Sequence, residues 1–153
     1  MTNKISLLTT AWLAVFAGMT YAAEYLPGAP GSRAQERAYS PAVITEGGRI
    51  VWLAGMGGTR GADGKTITDF TEQARQAFRN IDATVRRAGG TLSDVVTLTV
   101  FIRNQADGDA FVKVRAEFFK QGFPASALIT AKDFANPDIL VEIQSIAVIG
   151  ERN

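Results

Sequence analysis

The stretch from Asp69 to Ile102 constrains this chain most: an amphipathic helix stops on two glycines and runs almost directly into an eight-residue β-rich segment. Asp69 stands where a helix cap is needed, and Glu72 three residues on completes an Asp-x-x-Glu capping box. Phe70, Ala74, Ala77, Phe78, Ile81, Val85 and Ala88 recur at steps of three and four, which places them on one face. Gln73, Arg75, Gln76, Arg79 and Arg86 fall mainly on the other faces. Gly89-Gly90 ends the helix, because glycine accepts the left-handed conformation at the stop. In the strand that follows, Val96, Leu98, Val100 and Ile102 point one way; Val95, Thr97, Thr99 and Phe101 point the other. The mixed second face predicts partial burial, against another subunit for example.

The rest of the chain fits around this unit. Residues 49–54, Arg-Ile-Val-Trp-Leu-Ala, predict a short strand buried on both faces. Residues 39–45 are expected to pair with it across a Glu46-Gly47-Gly48 turn. Residues 55–64 are a glycine-rich loop without the Gly-x-x-x-x-Gly-Lys-Ser/Thr order that cradles phosphates. A second helix is expected over residues 108–120, with Phe111, Val114 and Phe118 inward and Gly122 at its end. Residues 127–131 and 140–149 read as two final strands, joined by a loop containing Asn136-Pro137. Strands, helix, strand, helix, strands: this order predicts an α+β fold, a sheet with two helices on one face. The 153 residues fit one domain.

The N-terminal segment stands apart. Lys4 precedes an apolar run over residues 5–20, and Thr20-Tyr21-Ala22 offers small residues where a signal peptidase reads them. The run is short for a membrane span, which needs roughly 20 residues. Residues 1–22 are therefore expected to be a cleaved signal peptide, which would leave the protein periplasmic or secreted, with no stable membrane association after cleavage. The competing readings are an uncleaved anchor and a first helix packed in the core. Residues 23–37, rich in Gly, Pro and polar side chains, read as a loosely ordered lead-in, and residues 38–150 as the folded domain.

Composition narrows the chemistry. The chain has no histidine and no cysteine, which excludes disulfides, thiolate nucleophiles, Cys/His zinc sites and a Ser-His-Asp triad. Any general acid or base must be Asp, Glu, Lys, Tyr, a chain terminus or a bound water. No Asp/Glu cluster has the spacing of a calcium loop, so no metal is expected. Sixteen Lys and Arg against fifteen Asp and Glu give a net charge of +1, no electrostatic footprint for nucleic acid or anionic lipid. Glu142 draws notice as an acid between Val141 and Ile143 in an otherwise apolar strand. Strand alternation alone would also point it at solvent.

Several segments, in order, resemble the Rid family, also called YjgF or enamine/imine deaminase-like. They are Ala38-Tyr39-Ser40-Pro41-Ala42-Val43, Leu53-Ala54-Gly55-Met56, residues 73–81, residues 94–102, Ala116-Glu117-Phe118-Phe119, Phe123-Pro124-Ala125 and residues 141–148. The resemblance covers residues 38–149. It implies a chorismate-mutase-like fold assembled as a homotrimer with a central barrel and three clefts between subunits. It also implies hydrolysis of small reactive imines or enamines to a carbonyl compound and ammonia, without a cofactor.

By the same resemblance Glu142 matches the catalytic glutamate and Tyr39 the cleft tyrosine. Gly55 matches the glycine of a Ser-Gly-Gln strand end, with Ala54 and Met56 in place of its polar neighbours. Where the active branch has Pro-Ala-Arg, this chain has Pro124-Ala125-Ser126. The arginine that grips a substrate carboxylate is absent, and a serine hydroxyl cannot replace a charged fork. Arg115, Lys132, Arg103 and Arg37 are the candidate replacements. Ser126, Gly55, Met56 and Arg115 are thus the expected substrate-binding residues. Two functions follow from these features: a Rid-type hydrolase whose substrate differs from the usual 2-iminoacids, or an exported small-molecule-binding or chaperone-like domain without catalysis. A nucleic-acid partner is not expected.

Overall fold

The computed structural model describes residues 23–150, and the expected signal peptide over residues 1–22 lies outside them. Ten elements follow in order: β1 (Glu24–Leu26), α1 (Arg33–Glu36), β2 (Ala42–Ile44), β3 (Arg49–Trp52), β4 (Met56–Gly57), α2 (Phe70–Arg87), β5 (Val95–Ile102), α3 (Gly108–Phe118), β6 (Ala125–Thr130) and β7 (Val141–Ile149). The main sheet runs β3-β7-β5-β6, with β4 also paired to β7. β5 and β6 are parallel; the other pairs of this sheet are antiparallel.

The central unit forms as its periodicity dictates. The Asp69 side chain caps α2 by accepting from the Glu72 amide, but the box is half made, since the Glu72 carboxylate pairs with Arg75 instead. Gly89 takes a left-handed φ of 83°, and the Arg49 side chain donates to the Ala88 carbonyl at the helix end. Ala74, Ala77, Phe78, Ile81 and Val85 are fully buried against the sheet. Phe78 stacks on Phe111 and Phe118 of α3 at 5.9 and 4.8 Å between ring centres, so α2 and α3 share one core with the inner faces of β5 and β7.

Four expectations are corrected. β2 pairs with β1, not β3, because the backbone of β3 is satisfied by the long central strand β7. β3 is buried on neither face in full: Trp52 is 74% and Ile50 54% exposed, on the side away from the helices. Val95 is buried with Val96, since a register shift between Val95 and Thr97 breaks the alternation. The lead-in holds β1 and α1, and Ala34 packs inward. α1 ends in a Schellman arrangement: the Tyr39 amide donates to Ala34 O and the Ala38 amide to Gln35 O. The left-handed position belongs to Ala38 (φ 54°), not to a glycine.

Candidate active site

The sheet splits the expected site residues into two groups. Along β7, Val141, Ile143, Ser145, Ala147 and Ile149 are buried under the helices; Glu142 sits on the opposite face. There it lies in one row with its strand partners Gly57 and Phe101, and Ile129 extends the row beside Phe101. The Glu142 carboxylate occupies the space over Gly55: a Cβ built there would be 2.3 Å from Oε1. Met56 pairs with Ile143.

Two amide side chains hold this corner in place. Gln73, fully buried, donates to Ile67 O and Asp138 O and accepts from the Leu140 amide. Asn80 donates to Gly57 O. Gly58 lies so close to α2 that a Cβ would stand 2.0 Å from Gln73 O. Periodicity assigned Gln73 to an outer face; its burial reflects the backbone groups of two loops that need partners, which an apolar pattern cannot register.

The second group lies beyond β6, on the helix side. Tyr39, Ser126 and Arg115 line one cleft of about 210 Å³, with Arg33, Arg37, Val112 and Leu128. Ser40 bridges Ala125 at the start of β6, which fixes Tyr39 beside the strand. Arg115, 2% exposed, donates from Nη1 to Ser126 Oγ at 2.6 Å and from Nη2 to Arg37 O. Its Nε is buried without a partner. Burial pushes its pKa down to about 10, and the Arg37 charge adds to the effect. Of the four candidate cations, Arg115 and Arg37 reach this cleft. Arg103 instead stands over the Phe134 ring, and Lys132 is exposed beyond the end of β6.

Within one chain the two groups do not meet. β6 and β7 are two strand spacings apart, roughly 10 Å, and Glu142 and Ser126 occupy opposite faces; Met56, expected to bind substrate, is paired with buried Ile143 and packs against the core instead. Among the described residues, no group of acids is arranged to hold a metal ion, and no helix is long and apolar enough to cross a membrane.

The chain's relatives now bear on this geometry. A family model described as Endoribonuclease L-PSP matches residues 31–149. A 2-iminobutanoate/2-iminopropanoate deaminase of Dermatophagoides farinae is 38% identical over 112 residues, 72% of this chain and 85% of that protein. This chain belongs to the Rid family. The 3-aminoacrylate deaminase RutC of Acinetobacter baylyi is 33% identical over 110 residues, 71% of this chain and 85% of that protein. Among solved structures, the Rid family protein YyfB of Yersinia pestis superposes with a TM-score of 0.72 at 26% identity, over 83% of this chain and 98% of that one. RidA from an Antarctic Psychrobacter superposes with a TM-score of 0.62 at 30% identity, over 86% of this chain and 99% of that one. The α+β architecture is therefore the Rid fold, and two of the relatives are named for the deamination of imines or aminoacrylate.

Proposed function

We propose that this Rid protein hydrolyses a small imine or enamine whose structure differs from the usual 2-iminoacids, with Glu142 activating the water. The observation that carries this reading is the Glu142 carboxylate, held over Gly55 on the open face of the sheet. Water adds to the C=N carbon as Glu142 takes its proton. Glu142 passes that proton to the nitrogen, giving the tetrahedral adduct; it then takes the adduct's hydroxyl proton and delivers it to the amine as the C–N bond breaks, so that the carbonyl product and ammonia leave and Glu142 is again ionised. An enamine enters the same path after protonation at carbon. The electrophile is already present in the substrate, so the reaction proceeds without a cofactor.

The separation of the two groups supports a homotrimer, in which the Glu142 corner of one subunit faces the Tyr39 cleft of the next. The exposed Ile50, Trp52 and Ile129 are what a sheet face covered by neighbouring subunits would carry. Light scattering of the protein at micromolar concentration should return three times the chain mass; a monomer mass contradicts the assembly. The Lys4 charge and the apolar run before Ala22 support export to the periplasm or beyond, and the N-terminus of the protein recovered from its host tests that.

The deciding assay is ammonia release from freshly generated imines, with and without a carboxylate. Turnover that disappears in Glu142→Gln establishes the hydrolase; undiminished turnover in that variant removes Glu142 from its role. Met56 and Ser126, apolar and neutral where the active pattern is polar and charged, favour a second reading, a cleft that binds a small molecule and turns nothing over. Binding that survives Glu142→Gln with no ammonia from any substrate would select it. The family model's endoribonuclease description belongs to the family; this chain has no histidine for the acid–base work of RNA cleavage.

A further inference from the structure

We propose that the pocket between the lead-in (β1 and α1) and the loop after α3 is a second small-molecule site, one that takes a neutral aromatic compound bearing a single hydrogen-bonding group. The pocket holds about 270 Å³. It is separate from the cleft of Arg115 and Ser126: of the residues that line the two spaces, only Tyr39 is common to both. Among the described residues no charged side chain lines the pocket, whereas three arginines line the cleft. An ion entering the pocket would lose water without gaining a counter-charge, so the ligand it suits is neutral.

The walls are aromatic and held in place. Tyr25, Tyr39 and Phe123 line the pocket, all three half-buried. The Tyr25 hydroxyl donates to Ser93 O at 3.0 Å, and its ring lies against Gly122, where an added Cβ would stand 2.8 Å from Cε2. Gly122 also has a left-handed φ of 60°, so glycine there serves both the turn and the close approach. Rings already fixed lose little freedom when another ring packs on them. Two polar groups are left over for a ligand. Ser40 lines the pocket and is 5% exposed, yet its hydroxyl has no hydrogen-bond partner among the described residues. Gln35 Oε1 accepts from the Gly31 amide at 2.8 Å, which fixes the side chain's orientation and leaves its NH2 group free to donate. A mostly apolar pocket with a few polar groups is how small-molecule sites are commonly built.

The test is binding. The full chain is titrated with benzamide, with its charged isostere benzoate, and with cyclohexanecarboxamide, which keeps the amide and loses the aromatic ring. Ligand signals and the protein's Tyr and Phe ring signals are followed by NMR. Saturable binding of benzamide is expected, with benzoate weaker by at least about tenfold and cyclohexanecarboxamide by at least about threefold. Ser40→Ala should weaken benzamide at least about threefold without lowering the Tm, because the lost hydroxyl has no partner within the protein; a hydroxyl kept for the fold would lower it. Phe123→Leu should weaken benzamide more than cyclohexanecarboxamide. Ser126→Ala, in the other cleft, should leave benzamide affinity unchanged.

No saturable binding of benzamide up to the millimolar range, or benzoate or cyclohexanecarboxamide bound as tightly as benzamide, would each overturn the site. An unchanged benzamide affinity in both Ser40→Ala and Phe123→Leu would do the same. So would a loss in Ser126→Ala as large as in Ser40→Ala, which would put the ligand in the arginine-lined cleft. The site does not rest on the imine-hydrolase reading. Benzamide bound as expected by a protein that releases no ammonia leaves the site standing and the hydrolase reading rejected; turnover without benzamide binding gives the converse.

Discussion

Gly55 and Glu142 stand so close that a single methyl group added to one would collide with the carboxylate of the other. The glycine is not there for an unusual backbone angle. It makes room for the acid, and so sets where Glu142 rests. Gly55→Ala should displace the carboxylate by an ångström or more while leaving the core intact, because the clash falls on the far end of a flexible side chain. Ammonia release is expected to fall by at least about tenfold, as misplacement of a reacting group on this scale commonly costs that much or more. The melting temperature should hardly move, and the two measurements together separate misplacement from unfolding.

Gln73 should be among the most sensitive positions in the chain. Truncation to alanine leaves Ile67 O, Asp138 O and the Leu140 amide without their partner and opens a void in a fully buried place. A loss of about 3 kcal/mol is expected in urea denaturation. Gln73→Glu should also be harmful, since an ionised carboxylate cannot donate to the two carbonyls.

Ala38 invites the opposite result. A left-handed conformation costs an alanine about 1–2 kcal/mol, and glycine would remove that cost while adding about 0.4–1 kcal/mol of unfolded-chain entropy. Ala38→Gly is expected to stabilise the protein by about 0.5–1 kcal/mol, seen as a rise of a few degrees in Tm.

Asp69 ties stability to pH. The Thr71 hydroxyl first, and then the Glu72 amide, hold its carboxylate below the ordinary range. A carboxyl group with a depressed folded-state pKa stabilises the fold fully above its unfolded value of about 3.9, and that contribution is lost as the pH falls through the lowered folded value. Asp69→Ala should cost about 1 kcal/mol at neutral pH. The gap between variant and parent should close in acid, where the parent's cap is protonated; a gap constant down to pH 2 would contradict the assignment.

α2 and β5 were legible in the sequence because their apolar positions keep period and their ends carry caps and glycines. The partner of β3 was not, because local turn residues suggest a neighbour while the hydrogen bonds go to β7, nearly a hundred residues away. Glu142 was legible as an acid inside an apolar strand. Arg115 could be named but not ranked against other surface cations, because its burial depends on α1 folding over it from a segment that composition alone marks as loose. Gln73 and Ala38 carried no signal, since one is a polar residue that serves backbone groups and the other an alanine in a glycine's place.

Gln73 has a consequence that reaches past stability. By gripping both the segment at Ile67 that leads into α2 and the segment that leads into Glu142, it works as a caliper whose two jaws cannot drift apart. The cleft lined by Arg33, Arg37, Arg115 and Ser126 lies outside that grip. On the proposed function, substitutions there are expected to re-tailor which molecule is held without resetting Glu142, so appetite and bite can be altered separately.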